Sequence, residues 1–532
     1  MNKILIFNPR SAKGKHRIPN SILQVGASIY GKYDFVFVDG NLETDPWQKI
    51  DSYFKTGDFK YFCSTVMPGP QLKQAIPFTK KIKELYPETI TIWGGYFASN
   101  QYKASITSGF VDYIINGPGD RAFPLLINSC EGRNLLIENN ISKFKEASND
   151  SDIRRNDNTE WEQELSSIKN LIYLNSKGEI IKTPKEELLD QDKLPAIPYQ
   201  HLNKFYNLEN YLSKTFLGRN TFSYHSSLGC PFTCSFCAVV PIYNGRWKAK
   251  SAASVYKDIS YFKENYGIEA IEFHDNNFFT SRKRVVDFSE LIKNDGISWW
   301  GEGRIDTINK YTDSELQLMK DAGCKMIFLG AETGNDEVLK QMNKGGTQTG
   351  AIIKEFVKRL YPIGIIPELS FVLGMPADSP EKVMAQIEWD INFIKELKEI
   401  NPDAEIIIYL YSPVATEGSE LYEQIQKAGF SFPQHLEDWL DPAWENFDLR
   451  KNPLTPWLTP KMVDKIMNFE TVLNGYYPTA TDFRIKGFKR SLLRGVSKLR
   501  YKTGIYKYPY EIKAMHKIWK YRQPETQGFY SE

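Results

Sequence analysis

The sequence predicts an α/β protein: an N-terminal doubly wound domain (Rossmann-like, flavodoxin-like), then a partial (β/α)6 TIM-type barrel, then a mostly helical C-terminal extension. Three observations lead there. Over roughly the first 130 residues short apolar runs alternate with amphipathic helical stretches, the pattern of a parallel sheet covered on both faces. From residue 222 the alternation restarts with a longer pitch and runs through six units. At 532 residues the chain exceeds one ordinary core, so several domains are expected. The divisions read as 1–130 for the first domain, 131–215 for a connector, 216–432 for the barrel and 433–532 for the extension.

In the first domain the strand-like runs are 4–7, 35–38, 61–64, 89–93 and 113–115, with a helix over 71–85. Such sheets bind ligands beyond the carboxyl ends of their strands. The turns falling there are Asn8-Pro9-Arg10, Val38-Asp39-Gly40, Met67-Pro68-Gly69-Pro70, Gly94-Gly95-Tyr96 and Gly117-Pro118-Gly119-Asp120. Glycine at these places lets backbone approach a large flat ligand closely. Residues 131–215 are polar and mixed, which reads as a loop-rich connector. In the barrel the strand runs are 222–228, 270–274, 298–301, 326–330, 369–374 and 406–411, and helices span 253–266, 314–322 and 381–397. Barrel chemistry gathers at the carboxyl ends of strands.

The bulk numbers exclude several classes. Hydrophobic content of 41% with 25% charged residues is ordinary for a globular protein. The opening residues, MNKILIFNPR, are too short an apolar run for a signal peptide. No run approaches the roughly 18 apolar residues of a membrane span. Of six cysteines, three share one loop, while Cys63, Cys130 and Cys324 sit among apolar neighbours as packing residues. That usage suits a reducing cytoplasm.

The three clustered cysteines carry the chemistry. Cys230-Pro231-Phe232-Thr233-Cys234-Ser235-Phe236-Cys237 is a C-x3-C-x2-C loop directly after the first barrel strand. Three thiolates can hold three irons of a [4Fe–4S] cluster and leave the fourth open to a small molecule, whereas a four-cysteine site is closed. Zinc could use the same thiolates with His225 as a fourth ligand, giving a zinc-stabilised binding protein, although zinc motifs are usually two separated pairs. A disulfide would leave one cysteine over.

This spacing, with Phe236 before the last cysteine, resembles the signature of the radical S-adenosylmethionine (SAM) enzymes. The resemblance implies metal ligation by Cys230, Cys234 and Cys237. It also implies SAM chelated to the open iron, and an electron that cleaves SAM to a 5′-deoxyadenosyl radical. A flavodoxin- or ferredoxin-type donor would supply that electron. The remaining strand-end motifs extend the likeness over residues 222–430. His274-Asp275-Asn276-Asn277-Phe278 is similar to the D-D/N-x-F variant of the cobalamin-linked branch, with Asp275 and Asn276 at the SAM ammonium. Asp275 alternatively caps the helix that follows. Glu302-Gly303-Arg304-Ile305-Asp306 offers a guanidinium for the SAM carboxylate and an acid for ribose hydroxyls, or an internal Arg304–Asp306 pair. Leu329-Gly330-Ala331-Glu332-Thr333-Gly334 resembles the family's G-x-E-S/T-G segment, in which the glutamate contacts SAM or orders the site. Gly374-Met375-Pro376 resembles its G-x-P turn under the adenine, and Pro413 with Thr416-Glu417-Gly418-Ser419 its P-x-x-G-T/S segment.

The first domain resembles the cobalamin-binding domain ahead of many radical SAM cores, with Gly94, Gly95, Gly117 and Gly119 in its two glycine turns. No D-x-H-x-x-G motif is present, and His16, the one histidine there, reads as a solvated loop residue. Cobalamin in this domain would therefore lack a protein histidine on its lower face, as in the methylase branch. The resemblance implies methyl transfer from methylcobalamin to an unactivated carbon. Cyclisation, rearrangement or oxidation without methyl transfer is the alternative.

Net charge is +2, yet residues 484–522 carry thirteen Lys and Arg against one acid, Glu511. Leu492, Leu493, Val496 and Leu499 recur there at helical spacing. Such a helix packs on the barrel with its charges solvated, binds an anion, or touches a membrane surface, which would suit a lipid rather than another small-molecule substrate. No nucleic-acid module accompanies the charge.

Overall fold

The computed structural model describes residues 2–11, 17–132, 160–344, 347–414, 417, 419–448, 454–481 and 485–521. The first sheet contains β1 (Lys3–Asn8), β2 (Phe35–Asp39), β3 (Phe59–Thr65), β4 (Ile90–Gly94), β5 (Tyr113–Ile115), β6 (Leu171–Leu174) and β7 (Ile180–Lys182). Their order is β2-β1-β3-β4-β5-β6-β7. The first five strands pair in parallel in the 2-1-3-4-5 order of a flavodoxin-like domain. Ile4, Leu5, Ile6 and Phe7 of β1 are all buried, as a strand covered on both faces requires.

The connector differs from its sequence reading. β6 and β7 come from it and extend the first sheet antiparallel to β5. Their signal was a hairpin: the apolar runs Leu171–Leu174 and Ile180–Lys182 flank Asn175-Ser176-Lys177-Gly178, a turn in which Gly178 has φ +78°. Further along, Tyr206 Oη accepts from the Asp39 amide at 3.0 Å and Tyr211 Oη donates to the Asp39 carboxylate at 2.8 Å. The connector thus fastens the end of β2.

The barrel begins with β8 (Thr221–Tyr224), followed by β9 (Ser227–Gly229) and β10 (Trp247–Ala249), then β11 (Ala270–Phe273), β12 (Ser298–Gly303), β13 (Cys324–Glu332), β14 (Ile366–Leu373) and β15 (Glu405–Leu410). Six of these form one parallel sheet in sequential order, β8-β11-β12-β13-β14-β15. All six predicted barrel strands are present. The first is shorter than expected, because the chain leaves the sheet at His225 and Ser226. Residues Ser227–Gly229 then pair antiparallel with β10 instead.

The extension closes the molecule. Leu458 lies against Gly374, where a Cβ would fall 2.7 Å from its methyls. Trp439 meets Phe97 of the first domain edge-on at 5.0 Å. Among the described residues no helix is long and apolar enough to cross a membrane.

Candidate functional site

The cysteine loop is held by hydrogen bonds to residues 341–343. Ser235 N–H donates to Met342 O at 3.0 Å, its hydroxyl to Gln341 O at 3.0 Å, and the Asn343 amide to Thr233 O at 2.9 Å. Gly229, with φ +76°, makes the entry turn; a Cβ there would run into the Arg246 carbonyl. Cys234 is buried and Cys230 and Cys237 are half-buried. Among the described residues no group of three or more Cys, His, Asp or Glu side chains is placed to hold a single metal ion. The surroundings fit an iron–sulfur group on two counts. Arg304 Nη1 donates to Cys234 Sγ at 3.1 Å. The Asn277 amide is buried beside Cys230 with neither its nitrogen nor its oxygen in a good hydrogen bond. Donors aimed at sulfur are what such clusters use to set their potential.

Arg304 is the centre of this region. It binds Asp306 through two bonds of 3.0 and 2.7 Å, donates to the Lys344 carbonyl at 2.7 Å, and lies 3.8 Å from the centre of the Phe232 ring. Burial alone would push the Asp306 carboxyl up, but the bonds from Arg304 outweigh it and hold it below its ordinary range. The internal Arg304–Asp306 pair is therefore present, and the same guanidinium reaches the cysteine loop.

Asp275 is placed differently from its sequence expectation. It is fully buried. Its carboxylate accepts from the Ser226 amide and hydroxyl at 3.0 Å and from the Ser227 hydroxyl at 2.5 Å, with Arg284 as the neighbouring charge. It braces the point where β8 leaves the sheet, and no face of it is open to a ligand. Nor does it cap the next helix, whose N-cap is Ser281. Asn276, one residue on, is half-buried and accepts from Tyr96 Oη at 2.7 Å.

Glu332 ends β13 with φ +63°, a left-handed conformation uncommon for a side-chain-bearing residue. A register shift between Gly330 and Glu332 accompanies it. Its carboxylate is buried against Lys344 Nζ at 2.6 Å, and Lys344 also donates to Gly330 O at 2.8 Å. Glu332 thus ties the end of β13 to Lys344, whose carbonyl accepts from Arg304. Gly374 has φ +88°, its carbonyl accepts from Trp457, and the carbonyl of buried Pro376 accepts from Gln341. Phe236 packs beside Met342 and Met375. Thr416 and Gly418 lie outside the described residues, as does His16.

Titratable side chains crowd the barrel mouth. His274 stands between Glu272 at 3.2 Å and Glu302 at 3.6 Å. Arg17 of the first domain reaches Glu272 at 3.6 Å. His225 is open to solvent but so enclosed by protein that desolvation, with help from His274 and Arg17, lowers its pKa to about 3.

The first domain meets this mouth through one of its two glycine turns. Gly95 has φ +94°, and a Cβ there would lie 2.8 Å from Val66 O. Gly94 is less crowded: a Cβ there would meet Ile115 at 3.9 Å, an ordinary contact. The next residue, Tyr96, bonds Asn276 and is near enough to Cys237 and Glu302 that both charges help raise its pKa, after desolvation. The second glycine turn is filled from within. Asn170 and Lys185 stand 3.7 Å from a Cβ on Gly117, and Val25 stands 3.3 Å from one on Gly119. Lys185 donates to Asn116 O and Oδ1, and burial lowers its pKa to about 7.

A profile of the Radical SAM superfamily matches residues 224–389, the segment from the end of β8 through β14. The chain is also 30% identical over 397 residues to an uncharacterized methyltransferase of Pyrococcus horikoshii, covering 73% of this chain and 77% of that one. The chain belongs to the radical SAM superfamily. This radical SAM enzyme is 23% identical to the anaerobic magnesium-protoporphyrin IX monomethyl ester cyclase of Cereibacter sphaeroides, over 91% of its own length and 71% of the cyclase. Its fold is similar to that of the cobalamin-dependent SAM radical enzyme OxsB with aqua-cobalamin and SAM bound, at TM-score 0.62 and 14% identity, covering 98% of this chain and 75% of OxsB. Tyr96, Lys344, Glu272 and Arg17 were not singled out from sequence. Tyr96 carried a signal, its place directly after a paired-glycine turn; the others are brought in by the fold alone.

Proposed function

We propose that this chain cleaves SAM reductively at a [4Fe–4S] cluster held by Cys230, Cys234 and Cys237, and that its first domain holds cobalamin for methyl transfer to an unactivated carbon. The observation that carries the reading is the Tyr96–Asn276 bond. It ties the residue after the Gly94-Gly95 turn to the strand end after β11, so that a cofactor held by one domain could face the other. Cobalamin, when bound, supplies an alkyl carrier whose reactivity the surrounding protein sets. Gly94, Gly95, Gly117 and Gly119 are the turn residues assigned to cobalamin, with Gly94 the least crowded of them. Asn276, Glu302 and Phe236 are the groups assigned to SAM. Arg304 and Glu332 act as positioning residues through Cys234 and Lys344. His225 and His274, with ring centres 6.2 Å apart, stand at the barrel mouth where a small-molecule acceptor would sit. The domain divisions proposed from sequence keep their use here, with residues 160–182 counted with the first sheet.

The test is an anaerobic titration of cluster-reconstituted protein with cobalamin, followed by absorption. Stoichiometric binding with the spectrum of a cobalamin lacking its dimethylbenzimidazole ligand supports the reading; no binding sinks the cobalamin part. Metal analysis of the same sample separates the cluster from a zinc site, since about four irons per chain is expected for the cluster. The cyclase likeness across 91% of the chain favours one alternative, radical chemistry without methyl transfer. Turnover with methyl-labelled SAM decides it: label in product supports transfer, and label retained on methionine supports the alternative.

A further inference from the structure

The basic tail folds into a helix, Gly487–Thr503, whose buried side is narrow. Leu493, Ser497 and Tyr501 face inward. They pack on the helix Pro460–Tyr476, where Tyr501 stacks on Tyr476 at 4.8 Å and Gly475 gives Ser497 its space. A second apolar strip remains. Phe488, Leu492, Val496 and Leu499 recur at helical spacing and are 79, 41, 37 and 70% exposed. At 100° per residue this strip lies about 145° round the helix from the buried one. It points away from the protein. Ile505 and Tyr508 continue it, 55 and 66% exposed, in a turn that Arg500 ties back by donating to the carbonyls of residues 505, 507 and 508.

The cations divide into two sets. Arg490 donates to Pro478 O, Arg494 lies 5.8 Å from the Tyr476 ring centre, and Arg500 pairs with Glu511. These hold the fold. Lys489, Lys498 and Lys502 are exposed and form no ion pair among the described residues. By the same helical geometry Lys489 flanks the apolar strip on one side and Lys498 and Lys502 flank it on the other. A contiguous exposed apolar strip on a folded protein marks a contact surface. Flanking lysines with no acid on the helix select an anionic occupant, and two copies of this face would set lysine against lysine.

We propose that the Phe488–Leu499 face docks on an anionic lipid bilayer, with the apolar strip entering the headgroup boundary and the three lysines meeting lipid phosphates. The helix then lies in the membrane plane and its buried side keeps the barrel attached.

The test uses the full chain, purified anaerobically, and vesicle sedimentation. It is expected to sediment with vesicles of equal parts phosphatidylglycerol and phosphatidylcholine, to stay in solution with phosphatidylcholine alone, and to be released by salt. The Phe488→Glu/Leu499→Glu variant is expected to lower partitioning about tenfold or more, with iron content and SAM cleavage unchanged. Lys498→Glu/Lys502→Glu removes the attraction from the other side and is expected to cost at least about tenfold as well. Failure to sediment with the anionic vesicles overturns the proposal, as does sedimentation that neither variant weakens. A concentration-dependent dimer lost in both variants, without vesicle binding, overturns it in favour of self-association.

Discussion

The five parallel strands of the first sheet and the six of the barrel have carboxyl ends of opposite character. Around β1 and β2 the strand ends of the first sheet are filled by its own side chains: the Gln71 amide donates to Pro9 O, Gln74 accepts from the Arg10 amide, Arg10 donates to Gly40 O, and Asn8 and Tyr211 bind Asp39. The crevice between β1 and β3, where a ligand of such a sheet usually sits, is bridged by Gln71. The barrel ends are lined instead by half-buried thiols, His274, Glu302 and the enclosed but wetted His225. One architecture thus serves twice, once as a closed wall and once as an open bowl. The two meet where Tyr96 donates to Asn276.

The contrast can be broken most completely at the cysteines. Cys234→Ala is expected to abolish 5′-deoxyadenosine formation while the first sheet stays folded; full activity in that variant would refute the assignment of the loop. A smaller effect is expected at Arg304. Arg304→Met leaves the Asp306 carboxylate buried without its partner, and breaking such a pair costs about 3–5 kcal/mol. Because the Asp306 pKa is lowered in the fold, the pair contributes its full stability above the free carboxyl's pKa and loses it as pH falls through the folded value. Unfolding of both proteins measured across acid pH should therefore show the gap narrowing once pH drops below the ordinary aspartate range. A gap constant with pH would assign the loss to packing on Phe232. The smallest effect compares two adjacent glycines. Gly95→Ala should cost about 1–3 kcal/mol, since it meets both a positive φ and the Val66 backbone. Gly94→Ala should leave thermal unfolding nearly unchanged and weaken cobalamin binding. Equal destabilisation by both would mean that Gly94 is also a packing position.

What could be read from sequence was whatever is local. The cysteine spacing, the apolar strand runs and the glycine turns each lie within a dozen residues, and the structure keeps nearly all of them. Missed features depend on long separations. Asp275 looked like a ligand because it follows a strand, but Ser226 and Ser227, nearly fifty residues earlier, consume its carboxylate. Arg304 touches Cys234 seventy residues away, which no local pattern reports. The β6–β7 hairpin was legible in principle, and the polarity of the surrounding segment hid it.

The bonds that pin the cysteine loop run to one short segment far along the chain. Ser235 bonds Gln341 and Met342, and Asn343 bonds Thr233, while Arg304 joins Cys234 to Asp306 and the Lys344 carbonyl. Residues 341–344 therefore act as a splint, and a substitution that shifts them is felt at thiols more than a hundred residues earlier.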